Sequence, residues 1–87
     1  MKSTHTQAYI QAIAALISAR KERRVLQADL ALKLNKPQSF VSKYEARERR
    51  LDVVEFFEVC RAIGANPVAV LRQAGLLTDE DTRSPEP

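Results

Sequence analysis

Apolar side chains recur at helical spacing along most of this chain, in short segments that end at proline, glycine or asparagine. The first segment runs from Tyr9 to Ile17, with its apolar residues on one face of a helix that we predict over residues 6–23. Only two glycines and four prolines are present, too few for the many turns of an all-β chain. The spacing therefore predicts an all-α fold.

Four further helices are predicted from the same spacing and from residues that start or stop a helix. They cover residues 27–34, residues 38–45, residues 53–63 and a last stretch from Pro67 to near Gly75. Pro37 suits the first turn of the third helix and keeps the residue before it out of helical geometry. Asp52 and Glu55 form a capping box at the fourth helix. Gly64 then ends that helix, and Asn66 caps the fifth.

Length and composition fit one small globular domain of 87 residues and 9.8 kDa. We expect a flexible N-terminus over residues 1–5, a folded domain over 6–77 and a disordered acidic tail over 78–87. The longest apolar run, residues 12–17, is far shorter than the roughly 18 residues of a membrane span, and residues 1–7 lack the pattern of a signal peptide. The single Cys60 excludes an internal disulfide and a cysteine-based zinc site, so we expect a cytoplasmic protein.

The positive charge is concentrated in the middle of the chain. Residues 20–50 contain ten basic and four acidic residues, whereas residues 51–87 contain three basic and seven acidic ones. A basic middle indicates a surface that faces a polyanion. A solvated helix face without a partner would have the same charge, so both interpretations stay open.

The second and third predicted helices are separated by only three residues, which requires a sharp turn. A helix, a tight turn and a second helix form the unit that can place its second helix in the major groove of DNA. Many helical bundles also have short connections, so the spacing alone does not decide the function.

Three stretches of the chain, residues 27–31, 38–45 and 49–56, resemble the lambda-repressor/Cro-like family of helix-turn-helix regulators, also called Xre-type. The resemblance extends over roughly residues 9–72. It implies a five-helix lambda-repressor-like domain with the helix-turn-helix at helices 2–3. It also implies a homodimer that binds a palindromic operator in double-stranded DNA, and usually repression of transcription.

The third helix would then carry the residues that contact bases. The Gln38 amide can pair with adenine, Ser39 can bond several base edges, and Lys43 can reach guanine or a phosphate. Phe40 has two interpretations, a contact with a thymine methyl group or sugar and packing in the core.

A second set of residues is predicted to contact phosphates, which sets position and affinity rather than sequence preference. Gln27 begins the second helix, where free backbone N–H groups suit an anion, and the resemblance implies that it also braces the recognition helix. Ser42 points to the flank of the third helix. The cations Arg47, Arg49 and Arg50 follow that helix.

The resemblance also implies a structural ion pair between Arg20 and Glu45. The chain departs from the family pattern at four turn positions. Arg24, Asn35 and Arg47 stand where the family usually has glycine, and Leu26 stands where it usually has serine or threonine. Either these turns differ, or added phosphate contacts offset the strain.

A dimer is expected because one such domain covers only a half-site of about 4–6 base pairs. Val68, Leu76 and Leu77 exceed what one small core can easily cover, and we predict that they form the homodimer interface. Alternatively, both leucines fold back onto their own domain.

The function that fits best is a sequence-specific repressor, nucleoid-associated when bound to DNA. An antitoxin or restriction-system controller would use the same domain, and an antitoxin would also bind a toxin protein, through the tail. A protein-interaction module that does not bind DNA is a third class. The single histidine, His5, and the lack of a nucleophile or metal-ligand set argue against an enzyme, and no metal or other cofactor is expected.

Overall fold

The protein folds into six α-helices over the residues that the computed structural model describes, 6–83. The predicted flexible residues 1–5, and residues 84–87 of the predicted tail, lie outside this range. The helices are α1 (Gln7–Glu22), α2 (Gln27–Leu34), α3 (Gln38–Glu45), α4 (Val53–Ile63), α5 (Pro67–Gln73) and α6 (Asp79–Thr82). The all-α fold class is thus confirmed, and α2, α3 and α4 have the predicted bounds.

Local hydrogen bonds fix the helix starts that the sequence indicates. The Asp52 carboxylate accepts from the Glu55 N–H at 2.7 Å, and the Glu55 carboxylate accepts from the Asp52 N–H at 3.0 Å. Asn66 Oδ1 accepts from the Val68 N–H at 2.8 Å at the start of α5. Gly64 has a φ of 83°, the left-handed geometry expected where α4 ends.

The core lies where α1, α2, α3 and α4 meet, with Val70 of α5 and Ala74, the residue that follows α5, against it. Among the described residues, the largest side chains that are fully buried are Leu16, Leu30, Val41, Tyr44, Val59 and Cys60. Burial raises the pKa of the Cys60 thiol to about 11, so this thiol stays protonated near neutral pH. No helix within residues 6–83 is long and apolar enough to cross a membrane.

Within residues 6–83, three residues other than glycine have left-handed backbone geometry, with φ values of 56° at Arg24, 57° at Asn35 and 61° at Arg47. These are the positions at which the family usually has glycine. The turns therefore keep the left-handed geometry even though glycine is absent. Asparagine tolerates this region, whereas arginine is strained there by roughly 1 kcal/mol or more.

The helix α6 lies within residues 78–87, for which the sequence predicts disorder. Thr78 Oγ1 accepts from the Asp81 N–H at 3.4 Å, and the Asp81 carboxylate accepts from the Thr78 N–H at 2.9 Å. Asp79 also forms an ion pair with Arg72 of α5. The structure therefore differs from the prediction here, because a capping box and one ion pair stabilise a single turn despite the acidic composition.

Candidate nucleic-acid interface

The turn between α2 and α3 aims one face of α3 at solvent. Asn35 ends α2 in left-handed geometry, and extended Pro37 starts α3 in a new direction. Gln38, Ser39 and Lys43 are all exposed on α3, while Val41 and Tyr44 on its opposite side are buried. The three side chains that the sequence assigns to base contacts are thus accessible together.

Glu45, the last residue of α3, is bonded to side chains from two other helices. Arg20 of α1 donates from Nε to Glu45 Oε2 at 2.7 Å and from Nη2 to Oε1 at 2.9 Å. Gln27 at the start of α2 donates from Nε2 to Oε1 at 2.8 Å. The hydrogen bond to Glu45 raises the pKa of Arg20, so the guanidinium stays charged although the pair is almost fully buried.

This cluster of Arg20, Gln27 and Glu45 fixes α3 relative to α1 and α2. Arg20 also donates from Nη1 to the Val25 carbonyl at 2.8 Å, which ties the α1–α2 turn to the same group. The ion pair that the resemblance implies is therefore present, and so is the bracing contact of Gln27. A contact between Gln27 and a phosphate stays a prediction.

Phe40 packs in the core, with only 9% of its surface exposed. Its ring lies edge-on to Tyr44 at 5.9 Å. The Arg49 guanidinium carbon lies 4.6 Å from the ring centroid, and Lys36 Nζ lies 5.4 Å from it. Of the two interpretations of Phe40 the structure supports core packing, because the side chain is almost fully buried, and the predicted base contact is dropped.

Arg49 is engaged by a carboxylate. Its Nη1 and Nη2 donate to Glu55 Oε1 and Oε2 at 3.0 and 2.8 Å, and Nη1 also donates to the Arg50 carbonyl at 3.1 Å. The paired hydrogen bonds raise the pKa of Arg49 and lower the pKa of Glu55. The structure thus places Arg49 as a brace between the α3–α4 loop and α4, and its predicted phosphate contact is not carried forward.

Lys43, Arg47 and Arg50 form no ion pair with another side chain of residues 6–83. Lys43 and Arg50 are exposed, and Arg47 is half-buried at its left-handed position. Ser42, which precedes Lys43 on α3, is also exposed, and its hydroxyl donates to the Ser39 carbonyl at 3.3 Å. Three cations at the end of α3 and in the next loop thus keep charge that an external anion can use.

Three residues that contact the site are not assigned to it by the sequence: Tyr9, Lys36 and Glu55. Glu55 has a sequence signal only as the partner of Asp52 in the capping box, and the same carboxylate also accepts from Arg49. Tyr9 is recognisable only as an apolar residue of the first helix. In the structure its hydroxyl oxygen accepts a hydrogen bond from the Leu51 N–H at 2.9 Å.

The third helix follows a tight turn, packs one side into the core and exposes a polar, cationic face on the other. This arrangement defines a helix-turn-helix domain. A family model described as helix-turn-helix matches residues 16–70. Among solved structures, the chain is similar to an XRE-family like protein from Pseudomonas syringae pv. tomato str. DC3000. The two are 46% identical, the match covers 78% of this chain and 83% of the other, and the TM-score is 0.74. No curated protein matches this chain.

The chain therefore belongs to the Xre-type helix-turn-helix family. It is a DNA-binding transcription regulator whose partner is double-stranded DNA.

Proposed function

We propose that the protein binds a palindromic operator as a homodimer and represses transcription, with α3 lying in the major groove. The observation that carries this proposal is the exposed set Gln38, Ser39 and Lys43 on a helix whose far end is fixed by the buried Arg20–Glu45 pair. Base contacts need side chains held in a fixed position, and a braced helix provides that.

Each of the three side chains has a distinct part in the proposed contact with bases. The amide nitrogen of Gln38 can donate to N7 of adenine while its amide oxygen accepts from the N6 amino group. This pair of hydrogen bonds matches adenine. Ser39 bonds a neighbouring base edge, and Lys43, one turn further along α3, donates to guanine or a phosphate.

Phosphate contacts in this proposal come from both sides of α3. Gln27 and Ser42 contribute neutral donors, whereas Arg47 and Arg50 contribute charge that no carboxylate of residues 6–83 neutralises. Because each neutralised phosphate releases counterions, these cations make the affinity dependent on salt.

The proposed dimer uses apolar side chains near the end of the domain. Val68 of α5 and the following Leu76 are 41% and 39% exposed, and Leu77 is half-buried. Exposed apolar area of this kind favours association with a second copy. A two-fold dimer would set two copies of α3 about 34 Å apart, one turn of B-DNA.

The test is a gel shift with DNA from upstream of the protein's own gene, followed by substitution of each base pair of the bound site. Gln38→Ala should lose about 1–3 kcal/mol of discrimination at one position per half-site. Arg50→Ala should weaken binding to every sequence alike and lower the salt slope of the affinity by about 0.9 for each phosphate contact that is lost.

Arg61→Ala is the charge-matched control, because Arg61 is an exposed cation of α4 outside the proposed interface. It should leave both the base preference and the salt slope close to those of the parent. If Gln38→Ala and Arg50→Ala bind every sequence as the parent does, α3 is not the recognition helix.

A further inference from the structure

Tyr9 lies in the first turn of α1, outside the helix-turn-helix unit, yet it contacts the α3–α4 loop at two points. Its hydroxyl oxygen accepts from the Leu51 N–H at 2.9 Å. Its ring lies 4.8 Å from the guanidinium carbon of Arg50. One side chain of α1 thus holds both the backbone of this loop and its most exposed arginine.

The two adjacent arginines of this loop have different surroundings. Both stack on an aromatic ring, Arg49 on Phe40 and Arg50 on Tyr9. Arg49 is also paired with the Glu55 carboxylate, whereas Arg50 has no ion-pair partner among residues 6–83. A ring face attracts a guanidinium but leaves its net charge in place, and a carboxylate cancels that charge.

We infer that Tyr9 is a positioning residue for DNA binding, which holds the Arg50 guanidinium ready for a backbone phosphate. This inference rests on the proposed function. An exposed arginine loses rotamer freedom when it binds a phosphate, and a side chain already held on a ring loses less. Tyr9 therefore raises affinity for duplex DNA of any sequence, and it does so only through Arg50.

The test is a double-mutant cycle with the full chain and a mixed-sequence duplex of about 20 base pairs, two turns of B-DNA. Tyr9→Leu should weaken binding about 3-fold when Arg50 is present, the size expected for an exposed cation–ring contact. In the Arg50→Ala background the same substitution should have no effect on affinity. A Tyr9 that served the fold alone would cause equal losses in both backgrounds.

Tyr9→Phe is the matched control, because it keeps the ring and removes only the hydroxyl. It should lower the thermal midpoint through the lost Leu51 bond but keep the full effect of Arg50→Ala on DNA affinity. If Tyr9→Phe weakens DNA binding as much as Tyr9→Leu, the ring does not position Arg50 and the inference is wrong.

Should Tyr9→Leu fail to fold, the same cycle is run with Tyr9→Met, which keeps a long apolar side chain at this position and removes only the ring and its hydroxyl. Weaker binding by Tyr9→Met with Arg50 present, and none of that loss in the Arg50→Ala background, supports the inference, whereas equal losses in both backgrounds overturn it. Absence of duplex binding by the parent would overturn the proposed function itself. Binding by the parent with equal Tyr9→Leu losses in both backgrounds overturns only the part assigned to Tyr9.

Discussion

At the scale of single residues, two arginines have a strained backbone geometry that destabilises the folded chain. Arg24 and Arg47 each follow a helix that the Arg20–Glu45 pair ties down, and each has left-handed φ. Glycine would adopt this geometry without strain. Neither side chain forms an ion pair within residues 6–83, so no such contact offsets the backbone strain.

Replacing either arginine by glycine should therefore stabilise the protein. We expect Arg24→Gly and Arg47→Gly each to raise the free energy of unfolding by about 1 kcal/mol, the relieved strain less the greater freedom of glycine in the unfolded chain. Urea denaturation measures this change. Asn35→Gly is the control and should gain less, because asparagine tolerates the same φ.

The same pair of variants separates strain from DNA contact. Both remove one positive charge, but only Arg47 is proposed to contact a phosphate. Arg47→Gly should lower the salt slope of DNA binding, and Arg24→Gly should leave it nearly unchanged. A loss of stability in both variants would show that the arginine side chains stabilise the turns in spite of the backbone geometry.

At the scale of elements, α3 is held at both ends by contacts with other parts of the chain. Arg20 and Gln27 bond its last residue, Glu45. Near its start, Phe40 lies under the guanidinium of Arg49, which Glu55 of α4 holds in turn. The exposed face of α3 between these two anchors does not pack against the core. Its side chains can therefore be chosen for the DNA sequence that is bound.

Loss of the Glu45 carboxylate should destabilise the whole domain. Glu45→Ala leaves the Arg20 guanidinium buried without a counter-ion, for which we expect a loss of about 3 kcal/mol. The check is the denaturation midpoint in urea. Glu48→Ala, at an exposed position three residues later, is the matched control and should change stability little. A small effect of Glu45→Ala would mean that water reaches Arg20 and replaces the pair.

The Arg49–Glu55 pair predicts a dependence of stability on pH. The hydrogen bonds from Arg49 lower the pKa of Glu55 in the folded protein. As the solution becomes acidic, Glu55 is therefore protonated at a higher pH in the unfolded chain than in the folded protein. The contribution of Glu55 is thus fully present above the ordinary glutamate pKa of about 4.3 and is lost as the pH falls through the lowered folded value.

Glu55→Gln removes this titration and gives the comparison. The difference in unfolding free energy between parent and variant should be present at neutral pH and shrink below about pH 4. Chemical denaturation at a series of pH values measures it. A difference that stays constant in acid would assign the effect to hydrogen-bond geometry rather than to charge.

The bounds of α2, α3 and α4 could be predicted from the sequence because their signals are local. Pro37, Asp52 and Gly64 act on neighbouring residues, and the helices begin and end where these residues indicate. The contacts of Phe40, Arg49 and Tyr9 could not be predicted, since they depend on how distant helices pack. The Arg20–Glu45 pair joins residues 25 apart and was implied only by the family resemblance.

At the scale of the whole molecule, the charge of the chain is divided between two parts. Residues 20–50, which include α2 and α3, carry most of the cations, whereas residues 51–87 are net acidic. The negative charges of residues 51–87 repel the DNA phosphates, which favours an orientation with the basic part of the domain facing the duplex. A toxin partner, the antitoxin role and the cytoplasmic location stay predictions.

In the proposed function, operator binding by the whole molecule depends on dimerisation. Leu76→Asp places a charge in the predicted interface and should raise the monomer fraction in sedimentation. Leu32→Asp is the matched control, because this leucine of α2 is 80% exposed and lies outside that interface. A monomer contacts one half-site only, so Leu76→Asp should also weaken operator binding far more than it weakens binding to a single half-site. If Leu76 instead folds back onto its own domain, the variant stays dimeric and loses thermal stability, because the aspartate then disrupts intramolecular packing.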